Sequence, residues 1–214
     1  MRLIVYTAAI GETDAVRPPV VVDPSVRYLC FSDRPCPEPY EWVRVPTEAD
    51  GTPASRRIKV LADHPLLREA DATFWHDASF RLLGNLDWVL RGLETADVVA
   101  LRHPRRQTIE AEGVAIARYG YVTTTEAAVL VEGYRAAGYV DIALTFGGLI
   151  GRRGSPTVQA FNRAWWVEVQ RWRFRDQASL GYAAWLAGAS IAYVPGTPRD
   201  NPFAVWRVRP QVPA

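Results

Sequence analysis

The chain has 214 residues, 49% hydrophobic and 22% charged, with a formal net charge of +2. That length fits one α/β domain better than two small ones, and the apolar content supports a real core, which excludes a disordered chain. No run reaches the roughly 18 apolar residues needed to span a bilayer, and so small a charge excess does not by itself imply nucleic-acid binding.

In chain order, short apolar runs alternate with helical stretches, the pattern of an α/β fold. Residues 1–6 carry too short an apolar run for a signal peptide and read as part of a first strand, so the protein is expected in the cytoplasm with no membrane partner. Strands are expected over residues 3–8, 26–32, 42–46, 73–76, 98–102, 148–152 and 191–195. The spacing predicts a helix after Ser55, read as its N-cap, with Ile58, Leu61 and Leu66 on one face. A second helix follows Thr124 or Thr125 and runs to Gly138. A third covers 157–172, where Phe161, Trp165, Val169 and Trp172 form one apolar stripe. A fourth runs from Asp176 to Gly188. The domain is thus expected over residues 1–195, with an extended Pro- and Arg-rich tail over 196–214. Cys30 and Cys36 lack zinc-site spacing, and in a reducing compartment Cys30 is expected as a buried thiol.

Four polar constellations stand out from this background. The first is Thr73-Phe74-Trp75-His76-Asp77-Ala78-Ser79. An apolar strand ends in Asp77, with the Ser79 hydroxyl two residues on, at the strand end where open α/β sheets bind ligands. Such a pair can hold Mg²⁺ or Mn²⁺ against a diphosphate. The plain alternative is a turn acid after a strand. The second is Ser55-Arg56-Arg57-Ile58-Lys59. Arg56 and Lys59 share a helix face, and two cations at a helix N-terminus suit a pyrophosphate. Lys59 is also the only lysine in a chain with 25 Lys and Arg residues. The plain alternative is a solvated basic face.

The third is Arg102-His103-Pro104-Arg105-Arg106, followed by Glu110 and Glu112. His103 is a candidate for a phosphate or an acceptor hydroxyl, and Glu112 for a base or a sugar hydroxyl; a loop of ordinary ion pairs is the alternative. The fourth is Arg173-Phe174-Arg175-Asp176-Gln177-Ala178-Ser179. Asp176 and Gln177 could floor a sugar site, or Asp176 could simply cap a helix, worth about 1 kcal/mol. Of the eight tryptophans, Trp165 and Trp172 read as core, while Trp166 and Trp206 could stack on a ring.

Taken in order, these motifs resemble a glycosyltransferase-like family, once a domain of unknown function, that includes plant mucilage-related and turgor-regulation-defect proteins. The resemblance is carried by Tyr6-Thr7-Ala8 with Gly11 and Asp14, Cys30-Phe31-Ser32-Asp33, Arg56 with Lys59, Trp75-His76-Asp77-Ala78-Ser79, and His103-Pro104-Arg105-Arg106 with Glu112. It continues through Gly148-Leu149-Ile150-Gly151-Arg152, Trp165-Trp166 and Arg175-Asp176-Gln177-Ala178-Ser179. It spans about residues 3 to 187.

The resemblance implies a single-domain α/β fold of the GT-A (Rossmann-like) type, a mixed, mainly parallel sheet flanked by helices. It implies transfer of a hexosyl or pentosyl group from a UDP-linked nucleotide-sugar to a hydroxyl acceptor. Thr7, Ala8 and Gly11 would meet the nucleoside; Arg56, Lys59 and Arg106 the diphosphate; Asp77 the metal or ribose; and Asp176 and Gln177 the sugar. Asp176, Glu112 and His103 are the catalytic candidates, and Asp77 with Ser79 the candidates for Mn²⁺ or Mg²⁺. The chain departs from the family's pattern in having Ser79 where an Asn is usual and no histidine after His103. Arg56, Lys59 and Arg106 are therefore alternative sources of positive charge for the leaving diphosphate. The acceptor could be a small metabolite, a glycan, a protein side chain or a hydroxymethylated nucleic-acid base, with DNA suggested by Arg105-Arg106 and the arginines of 171–175. The expected state is a monomer or small homo-oligomer. A binding module for nucleotide-sugars or nucleic acid, without catalysis, is the competing expectation.

Overall fold

The structure is a computed structural model that describes residues 1–11, 15–46, 51–84, 86–172 and 176–206. Asp14 and Arg173-Phe174-Arg175 lie outside the described residues, as does the end of the expected tail.

The first run of the chain forms β1 (Leu3–Ala9), with all seven residues buried, as a strand covered on both faces requires. It is followed by β2 (Arg27–Ser32), β3 (Glu41–Arg44), α1 (Gly51–Leu61), α2 (Pro65–Arg68), β4 (Ala72–His76), β5 (Phe80–Leu82), α3 (Asp87–Thr95), β6 (Val98–Arg102), α4 (Ile109–Arg118) and α5 (Thr124–Ala136). Then come β7 (Thr145–Arg153), α6 (Pro156–Trp172), α7 (Gln177–Ala187), β8 (Ile191–Tyr193) and β9 (Ala204–Trp206). The main sheet has the order β3-β2-β1-β4-β7-β6-β8. Only β7 is reversed: it pairs antiparallel with both β4 and β6, while the other pairings are parallel. The protein is therefore an α/β domain with a mixed, mostly parallel sheet flanked by helices.

Strand alternation divides the core. Ile4, Tyr6 and Ala8 face one side with Val60 of α1 and with Phe161 and Trp165 of α6. Leu3 and Val5 face the other with Val89 and Leu93 of α3. From β1 the chain moves outward to β2 and β3, then crosses back to place β4 on the other side of β1. The carboxyl ends of β1 and β4, where the chain reverses direction across the sheet, are the usual ligand position in such sheets.

Two expectations are corrected here, the start of the first helix and the state of the cysteines. The first helix begins at Gly51, so Ser55 lies inside it rather than at its cap, and Lys59 sits in its last turn. A proline is tolerated in a first turn, and Pro53 occupies it. Cys30 and Cys36 are joined in a disulfide rather than held as thiols, because the chain after β2 turns back on the strand end. Within the segment expected as a tail, β9 pairs antiparallel with β5, and Trp206 stacks on Phe80 at a centroid distance of 5.9 Å. Among the described residues no helix is long and apolar enough to cross a membrane.

Candidate active site

Lys59 is the centre of the site. Its Nζ lies 2.6 Å from Asp176 Oδ2 and 3.5 Å from Asp77 Oδ1. Three segments far apart in sequence meet there: the last turn of α1, the residue after β4, and the residue before α7. Lys59 is only 7% exposed. Burial acts to discharge it, but the Asp176 and Asp77 carboxylates outweigh that effect, and its pKa is raised above the ordinary lysine value. The Trp75 ring lies 5.9 Å from the ammonium, and Trp75 Nε1 donates to Asp77 Oδ1 at 2.8 Å. Asp77 N donates to the Gly148 carbonyl at 2.9 Å, which ties the acid to β7.

Two glycines of β7 make room for the cluster. A Cβ at Gly147 would lie 3.3 Å from Lys59 Nζ, and one at Gly148 would lie 3.0 Å from Asp77 Oδ2 and collide with the Phe146 ring. Side chains here would press on the charged groups, so the strand gives up packing to let them approach. A Gly-Gly pair between Phe146 and Leu149 was the available signal, and the Gly148–Arg152 motif left out Gly147.

The helix bearing Lys59 is held at its C-terminal end. Its last four carbonyls, which have no partner within the helix, all find one. Ile58 O accepts from Ala62 N at 3.2 Å. Lys59 O accepts from Arg152 Nη2 at 2.6 Å and from the Tyr6 hydroxyl at 3.2 Å. Val60 O accepts from Arg152 Nη1 at 3.1 Å, and Leu61 O from Asn162 Nδ2 at 3.0 Å.

A second cluster adjoins the first. Gln177 Nε2 donates to Glu112 Oε1 at 3.1 Å, and Gln177 Oε1 is 3.5 Å from Gly147 N. Arg106 Nε pairs with the other oxygen of Glu112. Glu112 is wholly buried in the first turn of α4, not on a loop. Both of its oxygens are engaged, so it orients Arg106 and Gln177 instead of standing open as a base. His103 Nδ1 accepts from the backbone N–H groups of Arg105, at 3.2 Å, and Arg106, at 2.9 Å. That atom builds the turn presenting Arg106.

The remaining candidates are placed as follows. Asp176 is the N-cap residue of α7 by position, but its side chain makes no cap hydrogen bond. Its carboxylate faces Lys59, and its carbonyl accepts from Trp165 Nε1 at 2.7 Å. Capping therefore does not explain this acid. Arg56 is part-exposed on α1 near Lys59, and among the described residues no hydrogen bond or ion pair engages it. Gly11 N donates to Asp33 Oδ2 at 2.9 Å, and Arg34 Nη2 to Gly11 O at 2.9 Å, so two of the sequence motifs join at the end of β1. Ala8 is buried on the face shared with Val60. Thr7 points to the opposite face and is fully buried, and among the described residues its hydroxyl has no hydrogen-bond partner.

At the expected metal pair of Asp77 and Ser79, Asp77 Oδ1 already receives Trp75 Nε1 and faces the Lys59 ammonium. Among the described residues no three His, Cys, Asp or Glu side chains gather as a metal-binding group. The position between Asp77 and Asp176 is filled by an ammonium. A groove of about 500 Å³, lined by Pro18, Val22, Glu38, Pro39, Tyr40 and Glu41, contains none of the residues of this site.

No protein-family model matches the chain, and no curated protein matches it. The functional reading is therefore drawn from the residues of the site.

Proposed function

We propose that the protein is a glycosyltransferase of GT-A type that uses Lys59 and Arg56, rather than a bound metal ion, to meet the leaving diphosphate of a nucleotide-sugar. One observation carries this reading. Lys59, Asp77 and Asp176 were each singled out in sequence for diphosphate, metal or sugar contact, and they meet in one ion-paired cluster at the carboxyl ends of the strands.

In the proposed reaction the bond between the anomeric carbon and the diphosphate oxygen breaks, and a bond to the acceptor hydroxyl oxygen forms. The acceptor's proton leaves to a carboxylate or to the departing diphosphate. The barrier lies largely in the charge gathering on the diphosphate, and fixed cations in a partly dry site lower it. Lys59 supplies such a cation already oriented by two carboxylates, and Arg56 adds a second from the same helix. Asp176 and the fully oriented amide of Gln177 lie beside them, suited to hold sugar hydroxyls.

A thermal-shift panel of UDP, GDP and their common sugar conjugates tests donor binding. One sugar nucleotide should raise Tm, corresponding to roughly 2.7 kcal/mol at a hundredfold excess over Kd. The shift should be the same in EDTA and in Mn²⁺. Absence of any shift across the panel would remove the donor site from the account.

A further inference from the structure

We propose that Arg152 is a positioning residue that sets Lys59 against its two carboxylates; this rests on reading Lys59 as the cation that faces the diphosphate. Arg152 lies in β7, opposite Thr73 of β4, and is 1% exposed. A buried guanidinium ordinarily has an acidic partner. Among the described residues Arg152 makes no ion pair. Its Nη groups are instead directed at the end of α1. Nη2 donates to the Lys59 carbonyl at 2.6 Å and to the Tyr6 hydroxyl, and Nη1 to the Val60 carbonyl at 3.1 Å and to Asn162 Oδ1 at 2.8 Å.

A neutral side chain could satisfy one or two carbonyls. A guanidinium does more, because a cation at a helix C-terminus also meets the negative end of the helix dipole. Its planar fork fixes two successive carbonyls at once. One of these is the carbonyl of Lys59 itself, so the backbone from which the ammonium extends is fixed within one residue. Asn162, held by Arg152, carries the same restraint on to Leu61. The strand that supplies Arg152 also supplies Gly147 and Gly148, the gap into which Lys59 and Asp77 fit. β7 thus sets both the anchor and the clearance of the cation.

The single lysine makes the test direct. Protein labelled with ¹⁵N at lysine Nζ gives one side-chain signal, that of Lys59. In the wild type this signal should be visible at pH 7, protected from exchange by burial and ion pairing. In Arg152→Gln it should broaden into the behaviour of an exposed lysine while the far-UV spectrum stays native. UDP affinity should fall at least 10-fold, and Arg152→Gln should have no further effect in a Lys59→Met background. An unchanged Nζ signal in folded Arg152→Gln, or an affinity loss that persists in Lys59→Met, would overturn the proposal. Should Arg152→Gln fail to fold, Tyr6→Phe decides. It removes the hydroxyl that accepts from Arg152 and donates to the Lys59 carbonyl, beside their direct bond, so its Nζ signal should move in the same direction by less; an unmoved signal overturns the proposal. If the wild type binds no UDP, the donor reading suffers, while the Nζ signal still judges the positioning.

Discussion

Lys59→Met is expected to lower sugar transfer on the order of 10²–10³-fold, the loss seen when one preorganised charge-stabilising group is removed from an active site. Methionine keeps the length and apolar stem of lysine and deletes only the ammonium. The effect should fall on kcat more than on donor KM, because the diphosphate carries its extra charge only as the bond breaks. The same substitution should also destabilise the fold at neutral pH by about 3 kcal/mol, since it leaves two carboxylates facing one another. That figure sits at the low end for breaking a buried pair because Asp77 is 40% exposed and water can relieve it. Adding Asp176→Asn to Lys59→Met should restore stability and leave transfer lost. Recovery of activity in the double variant would show that Lys59 serves folding alone. The pH dependence has a defined sign. The Lys59 pKa is raised on folding, so its contribution is complete below the ordinary lysine value near 10.4 and disappears as pH rises through the raised one. Urea unfolding above pH 10 should therefore be steeper in pH for the wild type than for Lys59→Met.

Acid is expected to weaken the fold through His76. Its imidazole is fully buried between the Tyr40 hydroxyl, 2.9 Å from Nε2, and the Asp77 carbonyl, 3.2 Å from Nδ1. A neutral ring suits both, donating from Nδ1 to the carbonyl and accepting at Nε2. Burial holds its pKa down to about 4, against an ordinary value of 6.5; the hydrogen bond to the Asp77 backbone opposes this and is outweighed. In this window the unfolded chain binds a proton that the folded chain refuses. Stability is thus complete above pH 6.5, falls as pH drops toward 4, and levels below it, a change of roughly 3 kcal/mol. Urea unfolding of the wild type and of His76→Gln between pH 7 and 4 measures the difference. The variant's slope should be shallower by that amount; parallel slopes would mean that His76 does not titrate on folding.

How far the sequence revealed this arrangement differs from place to place. β1 was legible because a run over residues 3–8 that is apolar but for Thr7 fits a central parallel strand. α7 was legible from Asp176 and from Gly188, which adopts a left-handed φ of 64° past the helix end. Asp77, Lys59, Asp176 and Gln177 were found because each stands at an element end where packing alone does not need a polar group. Their mutual contact was not legible, since it depends on the order in which strands enter the sheet. α1 was placed five residues late because Ser55 looked like a cap, whereas the helix begins at Gly51. Glu112 looked like an open base because an acid after a strand reads as a loop residue. Tertiary packing turned it inward against Arg106 and Gln177, and no local pattern carries that information. Because a strand alternates, Thr7 and Ala8 of one motif face opposite sides of the sheet, which the motif alone does not reveal. β5 and β9 were missed because three-residue strands fall below what periodicity can distinguish.

The central claim is that a fixed ammonium, and no metal ion, offsets the charge of the leaving diphosphate. The most direct measurement is release of nucleoside diphosphate from the sugar nucleotide that stabilises the protein, in EDTA and after addition of Mn²⁺, for wild type, Lys59→Met and Asp77→Ala. The account predicts turnover in EDTA that Mn²⁺ leaves within about twofold, and loss in both variants with folding retained in Asp77→Ala. Turnover that vanishes in EDTA and returns with Mn²⁺ would contradict it, and would give Asp77 to a metal in place of Lys59.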